Sequence, residues 1–139
     1  MAHCSDKLSY PTQGCLTNID FEAGVKPCKL NAGVTATHTT TINNQRTGDI
    51  HKVEICVRPR YNGIVLNGDS SLTEYKHAIP MLRSGKKWAH QFNIERNISN
   101  VIPNDEIETS VSLYDSTQVS GTTYGTSEGA AVTFTVDIS

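Results

Sequence analysis

The sequence predicts an all-β fold, a sandwich of two antiparallel sheets, on three observations. β-branched residues dominate, with 16 Thr, 11 Ile and 10 Val against 7 Leu. Such side chains fit a pleated surface and lose rotamer freedom in a helix. Several stretches alternate apolar and polar residues with a period of two, the mark of a half-buried strand. Turn residues separate these stretches at short intervals, and about seven or eight strands so spaced point to a sandwich.

Residues 1–14 read as an N-terminal extension and 15–139 as a single sandwich domain. The first 26 residues look irregular, with one short strand through Leu16, Ile19, Phe21 and Val25 broken at Gly24. From Val34 to Ile42 one parity reads Val34, Ala36, His38, Thr40, Ile42 and the other is threonine at 35, 37, 39 and 41. After a turn at 43–49, Val53, Ile55 and Val57 alternate with Lys52, Glu54 and Cys56, and Pro59 ends the strand or places it at an edge. Asn62-Gly63 is a hairpin signal before Ile64-Val65-Leu66. Residues 70–86 read as a long connection with an apolar knot at Ile79–Leu82. Trp88, His90, Phe92 and Ile94 share a strand parity, as do Ile107, Thr109, Val111 and Leu113 after the turn at Pro103–Asp105. Residues 115–129 read as a loop or wide hairpin, and Val132, Phe134, Val136 and Ile138 form the last strand.

At 139 residues the chain buries enough surface to fold as one domain without a metal. Its net charge of -2 offers no basic excess for phosphates, so nucleic acid is not an expected partner. No apolar run is long enough to span a bilayer as a helix. The polar start fits either a cytosolic protein or a mature chain without a signal peptide. Cys4, Cys15, Cys28 and Cys56 are compatible with two disulfides, and Asn97-Ile98-Ser99 is a glycosylation sequon, meaningful only in a secreted chain.

No catalytic constellation is expected, and the protein reads as a non-enzyme. His3, His38, His51, His77 and His90 lack ligand spacing, so neither a metal nor another cofactor is anticipated. Met1-Ala2-His3 is a copper chelator only at a free amino terminus. Cys56 and His51 are five apart on one strand and face opposite sides, which discounts a nucleophile–base pair. Asp105, Glu106 and Glu108 read as a solvated turn rather than a calcium site. Arg58/Arg60 and Arg83/Lys86/Lys87 flank strand ends and read as surface charge, with a lipid head group or anionic membrane as the functional alternative.

The order of features resembles the ML lipid-recognition domain, the family of the Niemann–Pick sterol carrier and the group 2 mite allergens. Pro27-Cys28-Lys29-Leu30 with Gly33 looks like the family's Pro-Cys opening of a long strand. Lys52–Ile55 through Tyr61–Leu66 resembles the strand, turn and apolar segment that follow. Ile79-Pro80-Met81-Leu82 with Gly85-Lys86-Lys87-Trp88, then Pro103 with Ile107–Leu113, match later landmarks. The likeness covers about residues 15–139, mostly as spacing. Ile79 and Ala130 or Ala131 stand where the family has cysteines, and Cys56 is additional.

The resemblance implies an immunoglobulin-like sandwich holding a lipid, sterol or acyl chain between its sheets, as a carrier or sensor. The lining would be the inward parity: Val34, Ala36, Val53, Ile55, Val57, Ile64, Leu66, Phe92, Ile94, Val111, Leu113, Val132, Phe134 and Val136. It also implies a Cys15–Cys28 disulfide, with Cys4 and Cys56 either paired or free. It implies a secreted or endolysosomal protein whose partners are an apolar small molecule and a membrane surface or receptor. An alternative is a carbohydrate-binding or adhesive sandwich that uses its threonine face, its tyrosines and the loop 115–127.

Overall fold

The computed structural model describes residues 4–10, 18–119 and 122–138, with the backbone alone at 9–10, 114–119 and 122–129. The strands are β1 (Ser5–Tyr10), β2 (Ile19–Lys26), β3 (Lys29–Leu30), β4 (Thr35–Asn44), β5 (Lys52–Pro59), β6 (Ile64–Leu66), β7 (Tyr75–Ile79), β8 (Lys87–Arg96), β9 (Glu106–Val119), β10 (Thr122–Thr135) and β11 (Asp137–Ile138). They form a five-stranded sheet, β1-β2-β4-β8-β6, and a four-stranded sheet, β10-β9-β5-β7. Every pairing in these two sheets is antiparallel. A short parallel pair, β3 with β11, ties the C-terminus to the start of the long strand β4. The all-β, immunoglobulin-like sandwich is therefore the fold. Its two sheets hold more strands than the expected seven or eight, because β1 and β7 add to them.

The first 26 residues are more regular than their sequence suggests. β1 pairs along its whole length with β2, Ser5 opposite Gly24 and Tyr10 opposite Ile19, so residues 5–10 form the outer strand of the five-stranded sheet. Gly24 does not break β2; it lets β1 come close. A Cβ there would lie 2.8 Å from Ser5 Cβ and 3.1 Å from the Cys4 carbonyl. The Val25 amide donates to that carbonyl at 2.7 Å. This register brings Cys4 beside the turn after β2, where it forms a disulfide with Cys28. The partner of Cys28 is thus Cys4 rather than Cys15, which lies outside the described residues. Cys56 is a free thiol, so no Cys4–Cys56 bridge forms.

The sheets face each other through the predicted parity. Ala36, His38, Thr40, Ile42 and Asn44 of β4 are buried, as are Val53, Ile55 and Val57 of β5, with Ile107, Thr109, Val111 and Leu113 of β9. Of the expected lining residues all are buried except Val34, which precedes β4 and is half-buried. The buried ones belong to one contiguous cluster with Phe21, Leu30 and Ile50. Removing side chains of this size from water stabilises by about 1.5–3 kcal/mol each.

Asn62-Gly63 does not close a hairpin. β5 lies in the four-stranded sheet and β6 pairs with β8 in the other, so this turn carries the chain between sheets. Asn62 adopts φ 59°. Buried Asp105 fixes the crossing: its Oδ1 accepts from the Tyr61 amide at 3.0 Å and its Oδ2 from the Gly63 amide at 2.7 Å. A Cβ at Gly63 would sit 2.8 Å from Ile102 Cβ and 3.0 Å from that Oδ2, so the close approach requires glycine. Asp105→Ala strands two amides without acceptors and should lower stability by about 2–4 kcal/mol. Urea denaturation of the variant, read at equal m-value, checks this; a loss below about 0.5 kcal/mol would remove Asp105 from this role.

Candidate functional site

Both sheets run out on the same side of the sandwich. β7 is the edge of the four-stranded sheet and pairs only with β5. In the other sheet β6 covers β8 only at Ile94–Arg96, leaving Lys87–Phe92 with β4 as its strand neighbour. The inner faces differ here from the rest of the interior. Tyr75, His77 and Ile79 stand opposite buried Val57, Ile55 and Val53, yet are themselves half-buried. Trp88 and His90 stand opposite buried Ile42 and Thr40 and are half-buried too.

Aromatic side chains from the two sheets interleave along this seam. Trp88 stacks near His77 (5.8 Å between centroids), and His77 lies flat on His90 (3.8 Å, 6° between planes). His90 stacks near Tyr75 (5.7 Å), Tyr75 on Phe92 (4.0 Å) and Phe92 on His38 (4.9 Å), and Phe134 lies 5.9 Å beyond His38. A continuous ladder of rings thus runs from the half-exposed indole to the centre of the core. Offset stacking of this kind adds about 0.5–1.5 kcal/mol per pair beyond burial.

Two polar contacts lock the ladder. Tyr75 Oη and His90 Nε2 are 2.8 Å apart in a hydrogen bond whose donor is set by the His90 tautomer, and burial raises the phenol's pKa. Burial first, then the charge of His77, lowers the pKa of His90. Deeper in, His38 Nε2 lies 2.9 Å from Thr109 Oγ1 of the opposite sheet, while His38 Nδ1 is buried with no partner among the described residues. Burial, with a smaller contribution from His90, pushes the His38 pKa down to about 3. The site therefore presents flat apolar surface in which burial disfavours a proton on His38 and His90, and it can stack, accept and donate.

The remaining sequence candidates fall elsewhere. Arg58 and Arg60 are matched by Glu108 and Glu106 at 2.7 and 2.8 Å, across an outer cleft of about 510 Å³ that also includes Pro59 and Thr133. Arg83, Lys86 and Lys87 are exposed. Thr37, Thr39 and Thr41 border a second outer cleft of about 300 Å³ with Glu22 and Lys26. None of these outer clefts is lined by the predicted apolar lining. No group of three or more metal-ligating side chains occurs among the described residues. Cys56 donates its thiol to Glu74 Oε2 at 3.4 Å, and burial first, then Glu74, pushes its pKa up to about 11. Asn97 of the sequon is 8 % exposed and its amide donates to the Asn62 carbonyl at 3.0 Å. The lining expected from sequence omits Tyr75, His77, Trp88 and His90, and Tyr75 and His77 fall in what reads as a connection. Their signal was present as the two-residue period of Tyr75, His77 and Ile79 inside the supposed connection.

No family model matches the chain, and no curated protein matches it. Among solved structures it is similar to the crystal structure of the yeast GGA1 GAE domain, with a TM-score of 0.50 and 13 % identity over 91 % of this chain and 96 % of that one. A likeness at that identity bears on the fold.

Two outcomes follow from these protonation states. The folded pKa of His38 lies below its unfolded value of 6.5, so the unfolded state binds the extra proton. Its contribution is complete above pH 6.5 and is lost as pH falls toward 3, with about 2 kcal/mol gone between pH 7 and 5. Urea midpoints at both pH values should show this loss in the native sequence and a markedly smaller one in His38→Phe/Thr109→Val; equal losses would sink it. Cys56, kept protonated, should alkylate with iodoacetamide at pH 8 well below the rate of a free cysteine, and Glu74→Gln should speed it. Peptide mapping of the time course reads both, and an unchanged rate in the variant would remove Glu74 from the explanation.

Proposed function

We propose that the protein is a non-enzymatic binding module that takes an apolar ligand between the edges of its two sheets at the β7–β8 seam. The observation that carries this is the incomplete burial of four neighbouring inward-facing rings, Tyr75, His77, Trp88 and His90, beside a cluster of buried side chains. Half-wetted rings on an inner face leave apolar area that a hydrocarbon covers. A chain of ten methylenes gains about 8 kcal/mol gross, against an association cost of about 4–15 kcal/mol, so a long acyl chain or a polycyclic body is the ligand size to expect. β7 has five residues and one bonded edge, which makes it the element that yields to admit such a ligand.

The resemblance to ML lipid-recognition domains points toward the same ligand class, lipid, sterol or fatty acyl chain, with the seam replacing the packed centre as the place of binding. The Cys4–Cys28 disulfide supports an oxidising compartment, such as the extracellular space or the endolysosomal lumen. A second reading, carbohydrate binding on the outer face, rests on the polar cleft beside Thr37, Thr39 and Thr41.

Trp88 is the only tryptophan in the chain, so its emission reports on the seam directly. Titration with a long-chain lipid should shift that emission to the blue and protect it from acrylamide, and native mass spectrometry should show one added ligand. Tyr75→Ala, which removes the central rung, should weaken binding at least tenfold. Unchanged emission together with a bare mass across fatty acids, alcohols and sterols would overturn the reading.

A further inference from the structure

We propose that His38 is the polar anchor of this seam, and that the ligand it selects is an uncharged amphiphile bearing a hydroxyl, seated with the hydroxyl inward on Nδ1 and the hydrocarbon running outward along the rings toward Trp88. This rests on the binding reading above and specifies its ligand.

His38 is fully buried on β4, between Ala36, Thr40 and the rings of Phe92 and Phe134. Thr109 satisfies Nε2 from across the sandwich, and Nδ1 is left with no hydrogen-bond partner among the described residues. A buried imidazole nitrogen without a partner weakens the fold, a cost that an apolar side chain at this position would avoid. The ring that bears this atom lies one step beyond Phe92 in the ladder, with Phe134 next to it in turn.

The chemistry of the anchor selects the ligand class. The ring stays neutral at any physiological pH, so a carboxylate brought to Nδ1 would lose its hydration with no opposite charge to replace it. Of the other titratable groups facing the same space, Tyr75 is held toward its neutral form by burial, and His90 by burial and then by the charge of His77, which lies flat on it. A hydroxyl avoids that cost. When Thr109 donates to Nε2, Nδ1 carries the proton and the ligand oxygen accepts from it. When Nε2 donates to Thr109, Nδ1 accepts from the ligand O–H. An ether or ketone serves only the first arrangement.

Three ligands of equal chain length separate the possibilities: 1-dodecanol, dodecanoate and dodecane, each titrated into the full chain and read by Trp88 emission. The expected result is a preference for dodecanol over both others of about tenfold, the weight of one buried hydrogen bond. His38→Leu should bring dodecanol and dodecane within about threefold of each other. His38→Gln, which keeps a polar atom in similar volume, should retain part of the preference and guards against a variant that does not fold. In the native chain, the Nδ1 resonance of His38 in long-range ¹H–¹⁵N spectra should move with dodecanol and stay with dodecane. Equal affinities for dodecanol and dodecane, or a preference that survives His38→Leu, would overturn the anchor and leave the seam as a plain apolar slot, Nδ1 then being met by a buried water. Failure of all three ligands to bind would overturn the seam itself and the anchor with it.

Discussion

The stacking of β7 rings on β8 rings is the constraint on which this sandwich depends at its open side. Elsewhere the sheets are held by continuous inner faces of Val, Ile, Leu and Phe, and each central strand has two bonded neighbours. Between β7 and β8 no ladder hydrogen bond joins the sheets. Tyr75 on Phe92 and His77 on His90 close that gap with flat contacts, and one phenol–imidazole hydrogen bond sets their order. Planar side chains suit the task because they cover area at low rotamer cost and tolerate one wet face.

The architecture was largely legible because it is written in a two-residue period. β4, β5 and β9 bury the parity that their sequences announce, and β8 turns its own inward, sealing Phe92 and Ile94 and leaving Trp88 and His90 half-buried. What escaped reading has physical reasons. β1 carries Lys7 and Asp6 on an outer edge strand, where one face and one edge meet water and little apolar pattern is required. Gly24 reads as a breaker in isolation, and its reason, the approach of β1, lies some twenty residues away in sequence. Asn62-Gly63 states correctly that the chain turns, but a turn does not state which sheet the next strand joins. That choice is made by Asp105, more than forty residues later. Cysteine partners depend on the same long-range register, which is why Cys28 meets Cys4.

The candidate site was legible only in part, and for a related reason. Period two shows which side chains face inward, but not how well the opposite sheet covers them. Val53 and Ile79 share a face and a cross-strand pairing, yet one is sealed and the other half-wet. The difference comes from where β6 stops along β8 and from β7 being the last strand of its sheet. Edge position is a property of topology, so a lining inferred from parity gathers the packed centre and passes over the opening beside it.

His38 shows where those two kinds of information meet. Its parity is inward and its neighbours are apolar, so packing alone favours a leucine or phenylalanine there. Thr109 accounts for one nitrogen and joins the two sheets through it. The second nitrogen adds nothing to the fold and weakens it, both through its missing hydrogen bond and through the proton that the unfolded chain binds more readily. A group that burdens stability at the inner end of an aromatic path from the surface has its most economical account in recognition. The same burial that makes it costly keeps it neutral, and a neutral donor–acceptor in apolar surroundings discriminates between ligands by what they leave unpaired.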